Sequence, residues 1–162
     1  MPLSRARMAL IAVSGIALAG GLAVFLSDPM QQSAAGIALA PDDPAVVAEG
    51  RQIYTAQCAS CHGATLQGQP NWQARGADGK LPAPPHDPTG HTWHHPDTVL
   101  FALTKYGPAR MIGDPAYKSD MPAYDETLSD DQIIAALSYI KSTWPAEIRQ
   151  RHDRINEQAR QN

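Results

Sequence analysis

The sequence of 162 residues predicts an all-α domain with three main helices and long loops, preceded by a hydrophobic N-terminal helix. Three segments carry apolar residues at spacings of three and four between helix-capping signals, and no segment shows convincing strand alternation. Beyond residue 26 the only phenylalanine is Phe101. A core this thin needs a covalent staple, a metal or a cofactor, and we expect the loops to wrap around such a group.

The N-terminus has the pattern of a targeting segment. Met8–Leu26 contains 19 uncharged residues, about 28 Å as a helix, which matches a bilayer core. Arg5 and Arg7 precede it, so the positive-inside rule predicts that the rest of the chain crosses the membrane. Residues 1–27 are therefore predicted to be a signal-anchor or a signal peptide, followed by a linker over residues 28–43. The length favours a retained anchor, whereas the many small residues favour a cleaved signal.

Helix-capping residues place the three main helices. Capping residues and prolines begin each helix, and glycine or proline follows each of the last two. These signals predict helices from Asp43 to Cys58 or Cys61, from Pro96 to Gly107, and from Ser129 to Trp144. The long stretch between Gly63 and His95 is predicted to be loop. Residues 44–143 form the predicted domain, and residues 144–162 are expected to be a polar, loosely attached tail, with or without helix.

The charge distribution limits the class of partner. The formal net charge is −3, and it falls to −5 when Arg5 and Arg7 are set aside. An acidic domain without a basic stripe is not typical of a nucleic-acid-binding protein. It would be attracted to a basic partner surface and repelled by anionic lipid, although the same charge also serves ordinary solubility.

The chemistry of this chain is carried by Cys58-Ala59-Ser60-Cys61-His62, which has the C-x-x-C-H pattern of c-type haem attachment. Two residues between the cysteines let one helical turn span the two vinyl groups of a porphyrin edge. His62 then follows directly and is placed to bind the iron, with its second nitrogen donating to a carbonyl. We expect that carbonyl to come from Pro82–Pro85.

Other uses of the two cysteines are less consistent with the sequence. A thioredoxin-like redox pair would lie in a βαβ pattern, which this chain lacks. A zinc site would need further Cys or His residues at matching spacing.

A second axial ligand of the iron is expected on the opposite face of the haem. Met111 and Met121 are the methionines of the folded part. Met121 is favoured, because Pro122 holds the residue before it in an extended conformation on a loop. Met111 remains an alternative. A methionine opposite a histidine raises the reduction potential, which suits an electron carrier.

Three further histidines, His91, His94 and His95, lie close together before the second helix. One of them could bind the iron instead of methionine, or the group could bind copper together with Met111. The simpler interpretation is that His94 or His95 caps the helix and that Trp93 packs near the haem.

The pattern resembles that of class I cytochromes c. The resemblance covers Pro41–Thr143 and is carried by three motifs: Gly50-x-x-x-Tyr54-x-x-x-Cys58-Ala59-Ser60-Cys61-His62-Gly63, Met121-Pro122-Ala123-Tyr124, and Ser138-Tyr139-Ile140-Lys141 in the last helix. It implies the class I cytochrome c fold around one covalently bound haem c. The haem would have thioethers at Cys58 and Cys61 and axial ligands at His62 and Met121, and Gly50 would allow a close crossing of the first and last helices.

The function expected from the resemblance is single-electron transfer, without enzyme chemistry, between redox protein partners. We expect the protein on the periplasmic side of the cytoplasmic (inner) membrane, exported or anchored through the N-terminal helix if that helix is uncleaved. Two alternatives remain: a haem- or copper-containing subunit of an oxidase or copper-handling complex, and a haem sensor or enzyme with an open iron position.

Overall fold

The protein is described by a computed structural model that covers residues 36–114 and 116–161. Within these ranges the chain is all-α and has no strand, as the sequence predicts. The six helices are α1 Pro44–Gln57, α2 Ala59–His62, α3 Asp97–Tyr106, α4 Pro108–Ile112, α5 Asp130–Ser142 and α6 Ala146–Gln161, and a short 3₁₀ turn spans Thr92–His94. The long loop between α2 and the 3₁₀ turn is also as predicted.

The ends of the main helices follow the predicted caps. The Asp43 carboxylate accepts hydrogen bonds from the first amides of α1. Ser129 and Gln132 cap α5 reciprocally, with bonds of 3.0 and 3.2 Å. Gly107, at φ +78°, ends α3. The local sequence therefore fixes where the helices begin and end, and packing then sets their arrangement.

Helices α1 and α5 form the most extensive helix contact of the described chain, and they cross at Gly50. A Cβ atom on Gly50 would lie 1.9 Å from the carbonyl oxygen of Ala135 and 3.0 Å from Cβ of Tyr139. No larger residue fits this contact, so the close approach expected at Gly50 is confirmed. The crossing fixes the end of α1 from which the C-x-x-C-H turn continues.

The apolar core lies between α1, α3, α5 and the loops. Cys58 and Ala59 pack against its edge. The buried members of the core are Tyr54, Leu66, Trp93, Leu100, Phe101, Tyr124, Ile133, Leu137, Ile140 and Trp144.

The predicted N-terminal hydrophobic helix over residues 1–27 lies outside the described residues, as does the first half of the predicted linker. No helix among the described residues is both long and apolar enough to span a bilayer. The end of the linker is bound to the domain: the amide of Leu39 donates to Asp97 Oδ2 (3.1 Å), and the amide of Ala40 donates to Ser138 Oγ (3.0 Å). These residues are thus in contact with the domain.

The prediction of a loosely attached tail is wrong, because α6 packs on the domain through a buried polar network. His152 Nε2 donates to the carbonyl oxygen of His95 (2.9 Å). Asn156 binds Asp97 twice, accepting from its amide (2.7 Å) and donating to its carboxylate (3.0 Å). Both α6 side chains are buried. The interface was missed because its key residues are polar and leave no apolar periodicity in the sequence.

We predict that Asn156→Ala lowers the free energy of unfolding by about 1–3 kcal/mol, because the buried amide of Asp97 loses its acceptor and the Asp97 carboxylate loses one of its donors. Chemical denaturation of the purified protein measures the change. Arg154→Ala, on the exposed side of the same helix, is the control and should stay within about 0.5 kcal/mol of wild type. Equal stabilities of the two variants would contradict the role given to Asn156.

Candidate cofactor site

The C-x-x-C-H motif forms a single helical turn directly after α1. The amides of Cys61 and His62 both donate to the carbonyl oxygen of Cys58, at 3.1 and 2.9 Å. Gly63 ends the turn at φ +83°. Cys58 is half-buried and Cys61 is exposed, and neither forms a disulfide. The predicted pair of thiols therefore lies on one turn, at the boundary between core and solvent.

The environment of Cys58 does not favour a reactive thiolate. Burial, followed by the neighbouring Cys61, raises the pKa of Cys58 to about 11. Redox-active and zinc-binding cysteines depend on the thiolate form, which low-pKa environments provide. Cys58 therefore lacks the low-pKa environment that is typical of a redox-active or zinc-binding thiol.

His62 is held by a carbonyl group of the loop below it. Its Nδ1 lies 2.8 Å from the carbonyl oxygen of Pro84, which confirms that the expected partner comes from Pro82–Pro85. Because a carbonyl oxygen only accepts, Nδ1 must carry the proton, and Nε2 then presents its lone pair. Burial lowers the pKa of His62 against the opposing effect of the Pro84 hydrogen bond. The ring is thus held as the neutral tautomer that binds metals.

Backbone hydrogen bonds bring Pro84 to His62. The Gly68 amide donates to the carbonyl oxygen of His62, and the Gln69 amide donates to that of Ala83, both at 2.8 Å. A Cβ atom on Gly68 would lie 2.4 Å from the nitrogen of Pro85. The glycine therefore allows the two stretches of the loop to run side by side, with the Pro84 carbonyl at Nδ1 of His62.

A second histidine, His86, stacks on His62. The ring centroids are 4.0 Å apart and the planes differ by 24°. His86 Nδ1 lies 2.8 Å from Thr92 Oγ1, and burial holds the pKa of His86 well below its usual range. The sequence analysis missed this residue because a single histidine in a proline-rich loop has no motif. We find no signal in the sequence that would have identified it.

Met121 lies on the loop before α5, outside any helix, and is half-buried. The loop is bound to the C-x-x-C-H region through Tyr124, whose hydroxyl donates to the carbonyl oxygen of Gln57 (2.8 Å). The Tyr124 amide also binds the loop to α3, by donating to the carbonyl oxygen of Lys105 (3.0 Å). Met111, the other methionine considered, is on α4. The structure therefore links the Met121 loop to the residue that precedes Cys58.

The three clustered histidines are engaged with aromatic rings. His91 stacks on Trp72 with centroids 5.1 Å apart, and His94 stacks on Trp93 at 3.7 Å. The His95 ring lies edge-on to that of His91, with centroids 5.5 Å apart. Neither His94 nor His95 caps α3, whose N-cap residue is Pro96; the capping interpretation is wrong. In the part of the chain that the structure describes, no three His, Cys, Asp or Glu side chains are placed to share a metal ion.

The donor set at the C-x-x-C-H turn fits a covalently attached haem. Two thiols can form thioethers with one porphyrin edge. The imidazole between the loop and the core has its second nitrogen already bound to a carbonyl, as metal-binding histidines generally do. The adjoining core supplies the apolar surroundings that a porphyrin needs.

Comparison with known proteins supports the same interpretation. The family model described as Cytochrome c matches residues 47–144, which is more than half of the chain. The matched region begins inside α1 and ends at the start of the turn before α6. No curated protein and no solved structure matches the chain.

We predict that the double variant Cys58→Ala, Cys61→Ala cannot retain haem, because it has no thiol to form a thioether. Intact mass of protein matured in a host competent for haem attachment measures this. Wild type should be heavier than its polypeptide by one haem, and the double variant should not. Circular dichroism should also show loss of helix in the variant, because the group that completes the core is missing. A haem-sized mass increase in the variant would contradict the assignment.

Proposed function

The chain belongs to the cytochrome c family, and on that premise we propose that it transfers single electrons with His62 and Met121 as the axial ligands of the iron. Members of this family bind haem c covalently, and one haem is typical of the domain. The chain is accordingly a haem-containing electron carrier with redox protein partners. The observation that most supports ligation by His62 is its hydrogen bond to the Pro84 carbonyl oxygen. This bond uses Nδ1 and leaves the lone pair of Nε2 available, on the same turn that carries both thiols.

Each residue of the site has a distinct task in this proposal. Cys58 and Cys61 attach the haem, which when bound supplies a one-electron couple. His62 is held in one orientation and one tautomer by Pro84, and it therefore does not need to reorganise when the charge on the centre changes. Met121, when it holds the iron, would favour the reduced state and raise the potential.

The structure favours Met121 over the other candidate ligands. Its loop is bound next to the C-x-x-C-H turn by the buried Tyr124, while the proline after Met121 keeps its backbone extended. His91 and His94 are each packed against a tryptophan, and neither has a hydrogen bond to the C-x-x-C-H turn among the described contacts. Met111 lies on α4, a helix with no hydrogen bond to the turn among the described contacts.

We predict that Met121→Ala removes the sulfur-to-iron absorption band of the oxidised protein and lowers the reduction potential by on the order of 100 mV, because axial ligands set haem potentials over about 0.8 V. Met111→Ala is the matched control and should keep both properties. A wild type without the band, or an Met121→Ala variant that keeps it, would overturn the ligation. The first result would favour a haem sensor or enzyme with an open iron position.

The exposed Cys61 edge is the proposed route for electrons, and the partner there is expected to be basic. Asp125 and Glu126 are exposed and directly follow Tyr124, which is bound beside Cys58. The chain beyond the N-terminal apolar stretch is also acidic overall. Opposite charges on the partner would steer encounter and hold a small, transient interface.

A double variant Asp125→Asn, Glu126→Gln tests this surface. We predict that electron exchange with a positively charged redox protein slows and loses part of its dependence on ionic strength, because screening acts on the charges removed. The control is the double variant Asp42→Asn, Glu147→Gln. It removes two exposed carboxylates that precede α1 and begin α6, away in sequence from the Tyr124 loop. Equal salt dependence in both pairs would contradict the assignment of the docking surface.

We further propose that the protein works on the periplasmic side of the cytoplasmic membrane. The support is the uncharged stretch Met8–Leu26 with Arg5 and Arg7 before it. The test is the N-terminus of the mature protein, read by intact mass together with membrane fractionation. Recovery of the haem-loaded protein from the cytoplasm would overturn the proposal.

A further inference from the structure

We infer that one loop, residues 70–84, positions both proposed axial ligands, and that the ion pair between Lys80 and Asp120 is its connection to Met121. The inference rests on the ligation proposed above. Pro84 at the end of this loop holds His62. Four residues earlier, Lys80 binds Asp120, which immediately precedes Met121.

Three contacts join the 70–84 loop to the segment before Met121. In addition to the Lys80–Asp120 ion pair, the guanidinium of Arg75 lies over the ring of Tyr117 at 5.2 Å. Lys118 Nζ donates to the carbonyl oxygen of Asp78 at 3.4 Å. In each contact the two residues are about 40 positions apart in the sequence, and one of the two lies within six residues of Met121. They tie the loop that follows the C-x-x-C-H turn to the loop that bears the second ligand.

The 70–84 loop is braced internally at its tip, residues 75–80, and the Ala83 amide donates to the side chain of Gln69 (2.9 Å) at its base. Arg75 Nη1 donates to the carbonyl oxygen of Gly79 (2.7 Å), and the Gly76 amide donates to that of Lys80 (2.9 Å). The Lys80 amide donates to the Asp78 carboxylate (3.0 Å). The turn that presents Lys80 is therefore fixed by its own backbone.

Apolar packing contributes little to this connection. A groove of about 330 Å³ lies between the two segments, lined by Arg75, Gly79, Asp114, Ala116, Tyr117 and Lys118. With this groove between them, the segments are held mainly by charge and by the Arg75–Tyr117 contact. Such contacts weaken as salt rises, whereas a packed apolar interface does not. Lys80 and Arg75 thus act as positioning residues for Met121.

The experiment compares Lys80→Met and Asp120→Asn with the charge swap Lys80→Asp, Asp120→Lys in haem-loaded protein. We expect each single variant to bind added imidazole at the iron about two- to fivefold more tightly than wild type, because the segment bearing Met121 leaves more easily. When the pH is raised, the sulfur-to-iron band of each single variant should be lost at a lower pH than that of wild type. The swap should restore both values, and high salt should move wild type toward the single variants.

Asp42→Asn is the matched control, because it breaks a similar surface ion pair with Arg149 on α6. It should leave imidazole affinity and the band unchanged. Single variants that match wild type, or a swap that restores nothing, would overturn the inference while leaving Met121 ligation intact.

Amide hydrogen exchange of residues 116–121 separates this inference from the ligation on which it rests. Faster exchange in the single variants, with recovery in the swap, supports the role of the ion pair even where wild type lacks the sulfur-to-iron band. In that case it is the ligation that fails. Unchanged exchange in all variants would overturn the positioning role directly.

Discussion

The hydrogen bond between His62 and the Pro84 carbonyl is the constraint on which the rest of the site depends. It selects one tautomer of the ring, sets its orientation and connects the C-x-x-C-H turn to the long loop. The loop could not reach His62 without Gly68, which allows its two stretches to lie against each other. A region without regular secondary structure is in this way organised around one imidazole, and the adjacent turn presents both cysteines.

The helices provide the frame that this constraint requires. Gly50 allows α1 and α5 to approach until backbone and side chain touch, which fixes the position at which α1 ends and the motif begins. Tyr124 joins the same end of α1 to the loop of Met121. The two chain segments proposed to hold the iron are therefore both connected to the C-terminal end of α1, although about 60 residues separate them in the sequence.

Sequence patterns predicted the parts of this structure that depend on local or covalent chemistry. Asp43, Ser129 and Gly107 mark helix ends because capping is a property of adjacent residues, and the motif spacing is set by the porphyrin that it must fit. The stacking of His86 on His62 and the network of Asp97, His152 and Asn156 were not predictable. They join residues far apart in sequence, and polar side chains buried against single partners leave no periodic pattern. The ligand role of Met121 stays a prediction.

The bonds from Leu39 to Asp97 and from Ala40 to Ser138 have a mechanical consequence. Tension on the chain ahead of residue 36 is borne first by α3 and α5, since those two helices carry the anchoring side chains. The C-x-x-C-H turn at the C-terminal end of α1 takes part in neither bond. Asp97 is simultaneously clamped by Asn156, so α6 acts as a brace behind the anchorage. A pull on the front of the chain is therefore resisted by side chains of two helices, α3 and α5, rather than by the α1 backbone alone.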